Sequence, residues 1–194
     1  MFKKIMTLSM LAAAFASPHV MAADSAAGGV INFTGAITDT TCTINGGKSA
    51  DLTVALAPIS VSDAGTTVGL ITKNKKNVAL TLSGCTPATG TAGTPLKIYF
   101  SSADNISADG KYLLNNTTNE SDSSTARNVG FALVKPGTTT PLALNQAFST
   151  SIMGNKVAPE TETLNLDVYY YKTNTAAATV GSLSSNVTYT VSYL

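Results

Sequence analysis

Val187-Thr188-Tyr189-Thr190-Val191-Ser192-Tyr193 alternates large apolar or aromatic side chains with small hydroxylated ones, and Leu194 follows. In a β-strand successive side chains point to opposite faces, so Val187, Tyr189, Val191 and Tyr193 share one face and Thr188, Thr190 and Ser192 the other. The same period of two recurs upstream. Leu164, Leu166, Val168 and Tyr170 alternate with Asn165, Asp167 and Tyr169. Val129, Phe131 and Leu133 share a face, as do Leu96, Ile98 and Phe100, then Val78, Leu80 and Leu82, then Leu52, Val54 and Leu56 within Asp51–Ala57. Ile31, Phe33, Gly35 and Ile37 form the first such face, within Val30–Ile37. Seven or more short strands are expected. No long stretch repeats at 3.6 residues, and a single helical turn near Asp63 or within 103–108 is the most helix the pattern allows. The connections carry turn residues: Asn45-Gly46-Gly47, Pro87 to Pro95 with Gly90 and Gly93, Asp109-Gly110 and Pro136-Gly137. Many strands at this spacing predict an all-β sandwich of immunoglobulin-like type. Residues 115–125, rich in Asn, Ser and Thr, read as a polar surface loop.

Composition agrees. The 194 residues are 44% hydrophobic and 12% charged, with no Trp, which is neither a charged disordered chain nor a helix-rich one. The first residues stand apart. Met1-Phe2-Lys3-Lys4 is a short basic start, Ile5–Ala16 an apolar run, and Ser17-Pro18-His19 breaks it before Val20-Met21-Ala22. That layout is a secretory signal peptide, with cleavage expected after Ala22 or Ala23. The run is shorter than the roughly 20 residues a membrane span needs. Residues 1–22 are therefore assigned as a signal.

Removing the signal takes Lys plus Arg from 12 to 10 against 11 Asp plus Glu, so the exported chain has a net charge of −1. It also removes His19, the single histidine, which excludes Ser-His-Asp, Cys-His and histidine-metal chemistry. No enzyme activity, cofactor or metal is expected. With no block of like charge, nucleic acid is not an expected partner. Cys42 and Cys85 remain, and in an exported chain an even pair reads as one disulfide. Gly46-Gly47-Lys48-Ser49 mimics the tail of a phosphate loop, but the first glycine of that motif would fall on Cys42. Lys73, Lys75 and Lys76 read as a solvated turn. Glu160 and Glu162 could share a strand face, a weak match to a glycosidase pair. Tyr169-Tyr170-Tyr171 reads as a strand with core and surface aromatics before it reads as a sugar platform. Asn115, Asn116, Asn119 and Asn186 sit in N-x-S/T sequons, which matter only in a eukaryotic secretory pathway.

Both ends of the exported chain are apolar strands. Ala23-Asp24-Ser25-Ala26-Ala27-Gly28-Gly29 leads loosely into Val30–Ile37, and the last strand has no polar tail. An apolar β-edge at a terminus aggregates unless it is covered within the fold or pairing with another chain is its purpose.

Taken in order, the signal peptide, Gly28-Gly29-Val30-Ile31-Asn32-Phe33-Thr34-Gly35-Ala36-Ile37, Thr41-Cys42, Ser83-Gly84-Cys85, Asn128-Val129-Gly130-Phe131 and Tyr189-Thr190-Val191-Ser192-Tyr193-Leu194 resemble the fimbrial (pilin) subunits of the chaperone–usher pathway, close to the type 1 major pilins. The resemblance covers essentially the whole exported chain. It implies an immunoglobulin-like sandwich that lacks its last strand, leaving a groove beside the C-terminal strand. A periplasmic chaperone fills the groove first. At the outer-membrane usher, the N-terminal extension of the next identical or related subunit replaces it, building a head-to-tail fibre on the cell surface. On that basis residues 23–37 are the expected donor-strand extension and 38–194 the pilin domain; Val30, Ile31, Phe33, Gly35 and Ile37 are the expected donor strand, with Ile31, Phe33 and Ile37 inserted and Gly35 where the groove is shallow. Val187, Tyr189, Val191, Tyr193 and Leu194 are the expected acceptor strand. Burying the three inserted side chains is worth roughly 5–9 kcal/mol before ordering costs. The expected function is a structural fimbrial subunit supporting adhesion, with a minor subunit or a carbohydrate-binding tip adhesin as the alternative. Ending in Leu194, rather than in a polar residue as many relatives do, leaves the chaperone preference open.

Overall fold

The computed structural model describes residues 40–47, 50–87, 95–116, 123–153 and 161–193. Seven strands are present among them: β1 (Thr40–Ile44), β2 (Gly69–Pro87), β3 (Pro95–Ser101), β4 (Val129–Val134), β5 (Ala147–Met153), β6 (Thr161–Lys172) and β7 (Thr188–Ser192). They form two antiparallel sheets, one in the order β1-β2-β6-β4 and the other in the order β5-β3-β7. The core lies between them. Leu80, Leu82, Leu164 and Leu166 of the first sheet meet Leu96, Ile98, Phe100, Ile152 and Val191 of the second in one buried cluster.

Alternation placed β3, β4, β6 and β7 correctly, and register explains how it works. Val78 lies opposite Leu166 and Leu80 opposite Leu164, so the apolar rows of β2 and β6 coincide on the inner face. Their outer face is hydroxylated, with Thr81 opposite Thr163 and Ser83 opposite Thr161. Within β6 the outer row is also buried from Asp167 onward, which is why Tyr169 and Tyr171 are as inaccessible as Val168.

Several expectations are corrected. Asp51–Ala57 is not a strand: Val54 and Leu56 pack against the core, but the backbone joins no ladder. Alternation there records one-sided burial, with no partner strand among the described residues. Lys73, Lys75 and Lys76 are solvated as expected but do not form a turn. They belong to β2, at a bulge in which Thr72 to Lys75 stand opposite Tyr169 alone, and Lys73 and Lys75 pair with Asp63 and Asp167, each at 2.8 Å. Of the two places offered for a helical turn, only the first has one, α1 (Val61–Ala64). Ser60 caps it: its hydroxyl accepts from the Asp63 N–H at 3.1 Å while the Asp63 carboxylate accepts from the Ser60 N–H at 3.0 Å. β1 and β5 were not anticipated, because Thr40–Ile44 and Ala147–Met153 are too rich in Ser and Thr for an apolar alternation to stand out.

Cys42 of β1 and Cys85 of β2 form the expected disulfide, 43 residues apart in sequence. The β1–β2 register shifts between Thr41 and Thr43, so Cys42 faces the pair Gly84–Cys85. Gly84 takes a φ of 59°, the left-handed conformation that such a bulge requires and that glycine adopts without strain.

Candidate functional site

The site is a trench between the sheets, with a cavity volume of about 400 Å³. Its floor is the inner row of the first sheet: Val78 and Leu80 from β2, Leu164, Leu166 and Val168 from β6. Phe100 of β3 and Leu133 of β4 close the back, and Ile44 of β1 stands at one side. Its lips are the segment 50–54, which joins no ladder and contributes Leu52 and Val54, and the start of β7, through Val187, Thr188 and Tyr189. Leu52 remains 44% exposed although it lines this apolar space. A lip that is apolar, outside any ladder and partly exposed is a surface suited to being covered.

Tyr189 bridges the lips. Its hydroxyl donates to the Ala50 carbonyl at 2.6 Å. Burial, and then the nearby Asp51 carboxylate, raise the phenol pKa, so the hydroxyl keeps its proton and remains a donor at neutral pH. Further along the same face Val191 and Tyr193 are buried in the core, and the Tyr193 hydroxyl donates to the Cys85 carbonyl at 3.3 Å. The inward row of the last strand is thus tied to segment 50–54 at one end and to the disulfide at the other. Both ties were missed from sequence, since a tyrosine inside an alternating strand gives no sign of which carbonyl it reaches.

The structure brings Val187, Tyr189, Val191 and Tyr193 onto one inward face, the first two packed against the core cluster and the last two within it. Leu194 lies outside the described residues, as do Val30, Ile31, Phe33, Gly35 and Ile37 and the residues assigned to the signal and the extension. A larger cavity of about 520 Å³, beside α1, shares no lining residue with the trench.

The other candidates resolve differently. Tyr171 is buried against Tyr112 with ring centroids 4.7 Å apart, Tyr169 is buried, and Tyr170 stacks on Phe131, so the tyrosine run offers no platform to a sugar. Glu160 lies outside the described residues, and Glu162 accepts hydrogen bonds from the Ser151 and Ile152 N–H groups. Among the described residues no cluster of His, Cys, Asp and Glu has the makings of a metal site.

Residues 31–194 match the fimbrial protein family. The chain belongs to that family. It is 30% identical to the F17 fimbrial protein of Escherichia coli over 195 residues, spanning 98% of this chain and 99% of that protein. Among solved structures, a chaperone–usher pilus subunit shares the fold with a TM-score of 0.52 at 18% identity, covering 86% of this chain and 96% of its own. A Burkholderia pseudomallei antigen and type I fimbria protein aligns with a TM-score of 0.49 at 20% identity, over 84% of this chain and 96% of its own. The fold is the immunoglobulin-like pilin fold, and the protein is a subunit of a surface fimbrium.

Proposed function

We propose that this fimbrial subunit polymerises by strand addition. The extension of one copy, residues 23–37, enters the trench of the next copy and runs beside β7. The carrying observation is the trench itself, an apolar space between the sheets that is lipped by β7 and by a segment that forms no ladder. A β-strand entering there would supply backbone partners and fill the apolar space at once, which is how strand addition obtains both affinity and register. Ile31, Phe33 and Ile37 are spaced to place their side chains on one face, and Gly35 lies between them on the same face. Because donor and acceptor are different surfaces of the same chain, repetition gives an open filament rather than a ring. A periplasmic chaperone holding the trench during export, and an outer-membrane usher at which the exchange takes place, complete the reading. The protein's role is structural rather than catalytic.

The test is deletion of residues 23–37. The variant should fold with its chaperone and be incorporated nowhere as a donor, so no fibres longer than a capped end should appear by electron microscopy. Growth of full-length fibres from that variant would refute the mechanism. Replacing Gly35 by Leu should slow exchange of the extension in vitro, and unchanged kinetics would remove Gly35 from the donor register.

A further inference from the structure

The inner row of β6 reads Glu162, Leu164, Leu166, Val168, and its first member is a carboxylate. Glu162 stands opposite Leu82, which is fully buried, so register places it on the core-facing row where an aliphatic side chain belongs. Glu162 is half-buried there, and hydrogen bonds offset the hydration its carboxylate gives up. It finds them in the other sheet. One carboxylate oxygen, Oε2, accepts from the N–H of Ser151 at 2.9 Å and from the N–H of Ile152 at 3.1 Å, both in β5.

Those two donors are available because β5 is bulged. Pro95 pairs with Met153 and Lys97 with Ser149, so three residues of β5, Thr150 to Ile152, stand opposite Leu96 alone. Among the described strands β5 borders the sheet β5-β3-β7. A border strand presents a row of backbone groups to any passing strand, and a bulge or an inward charge blunts that row. Here both devices coincide, and the carboxylate engages the released amides.

We propose that Glu162 restricts strand addition to a single border of this sheet, by sealing the β5 border so that only β7 accepts a strand. Its effect on assembly rests on the strand-addition reading above; its effect on the β5 border does not. An incoming strand at β5 would have to supply acceptors for N–H groups already engaged, and its own carbonyls would face a carboxylate. A subunit that assembles through sheet borders while carrying a second competent border would branch or bundle. Sealing that border keeps the fibre linear.

The experiment compares the full chain with Glu162→Ala and Glu162→Gln. Glutamine retains an oxygen that can accept both N–H groups, and alanine does not. Hydrogen exchange at the Ser151 amide should rise about tenfold or more in Glu162→Ala and stay near the parent value in Glu162→Gln, with a smaller rise at Ile152, whose N–H is shared with the Thr150 hydroxyl at 3.2 Å. Light scattering of folded, chaperone-released subunits should show self-association of Glu162→Ala several times faster than the parent, and its fibres should bundle or branch in electron micrographs. Adding Ser151→Pro to Glu162→Ala deletes one exposed donor and should bring association back toward the parent rate. Three results would overturn the proposal: Glu162→Ala associating no faster than the parent, Glu162→Gln associating as fast as Glu162→Ala, or the proline failing to suppress association. Scattering is read on subunits before fibres grow, so failure of the strand-addition mechanism would show in the 23–37 deletion and leave this comparison intact.

Discussion

β7 meets β3 in five successive residue pairs, Ser101 with Thr188 through Lys97 with Ser192, without a shift, whereas β5, on the other side of the same strand, loses its register after Ser149. β7 alternates cleanly, with Tyr189, Val191 and Tyr193 turned inward. β5 has its backbone diverted by a bulge and its released amides held by Glu162. A regular strand offers evenly spaced backbone groups and a continuous apolar row, which is what an added strand requires. A bulged one offers neither. The border β4 of the other sheet is protected by a third means. Chain without regular structure lies along it, through Leu113 opposite Phe131 and Pro141 opposite Val134. The difference lies in the backbone more than in side-chain hydrophobicity, since β5 also buries an apolar residue, Ile152.

The largest effect should come from opening the disulfide. Replacing Cys42 and Cys85 together by Ser frees a loop whose ends are 43 residues apart, which should cost about 2–5 kcal/mol in denaturant unfolding. Because the Cys85 carbonyl receives the Tyr193 hydroxyl, amide protection should fall more in β7 than in β5. Equal loss in both would break the contrast by making the two borders one cooperative unit.

The covered border gives the next effect. A Cβ built on Gly130 would sit 2.2 Å from the Leu113 carbonyl oxygen, a backbone atom fixed by the Leu113 N–H bond to the Phe131 carbonyl at 2.7 Å. Gly130→Ala should therefore destabilise by about 1–3 kcal/mol through overpacking, measured as a lower denaturation midpoint at unchanged slope. It should also raise exchange at Leu113 and Phe131 before any change at Ser151. Smaller again is Tyr189→Phe. It removes the hydrogen bond to the Ala50 carbonyl and should cost about 1 kcal/mol. On the strand-addition reading it should also speed donor exchange, because the lips of the trench lose their bridge. A variant with unchanged exchange would show that the bridge does not gate the trench.

How much of this was legible follows from what a single strand can encode. Leu164, Leu166 and Val168, or Val187 to Tyr193, announce a buried face in their own spacing, so the sandwich and its last strand could be read directly. The disulfide followed from cysteine count and compartment. A bulge, by contrast, is a mismatch between two strands and is written in neither alone. Lys73 to Lys76 looked like a polar turn and Thr150 to Ile152 like nothing in particular, although each is where a ladder slips. Asp51–Ala57 failed in the opposite sense, with a strand's side-chain pattern and no strand among the described residues to pair with. Glu162 was noticed for the wrong reason, as half of a carboxylate pair, because its real partners are two backbone amides about ten residues upstream. The trench became visible only when β2, β6, β7 and segment 50–54 were brought together.

The smallest effect separates the two bulges. That of β5 is held by a carboxylate on backbone amides, and that of β2 by two ion pairs, Lys75 with the buried Asp167 and Lys73 with Asp63, the second of which also ties in the cap of α1. The Lys73 ammonium, and after it the Ser60 hydroxyl, lower the Asp63 pKa to about 2. A carboxyl whose pKa falls on folding stabilises the fold above its unfolded value, near 3.8, and that stabilisation is lost as pH drops through its folded value. The window is therefore between about pH 4 and pH 2. Lys73 is 57% exposed, so the effect on global stability should be slight. It should be clear locally instead. Amide resonances of Ser60 and Asp63 should titrate together with a midpoint near the low Asp63 value, and Asp63→Asn should abolish that step while leaving the β5 amides in place at neutral pH. A midpoint at the ordinary carboxylate value would mean that the Lys73 pair does not persist in solution, and that the β2 bulge is held on its side chains by the Lys75–Asp167 pair and by the Asn74 amide, which donates to the Pro58 carbonyl at 2.8 Å.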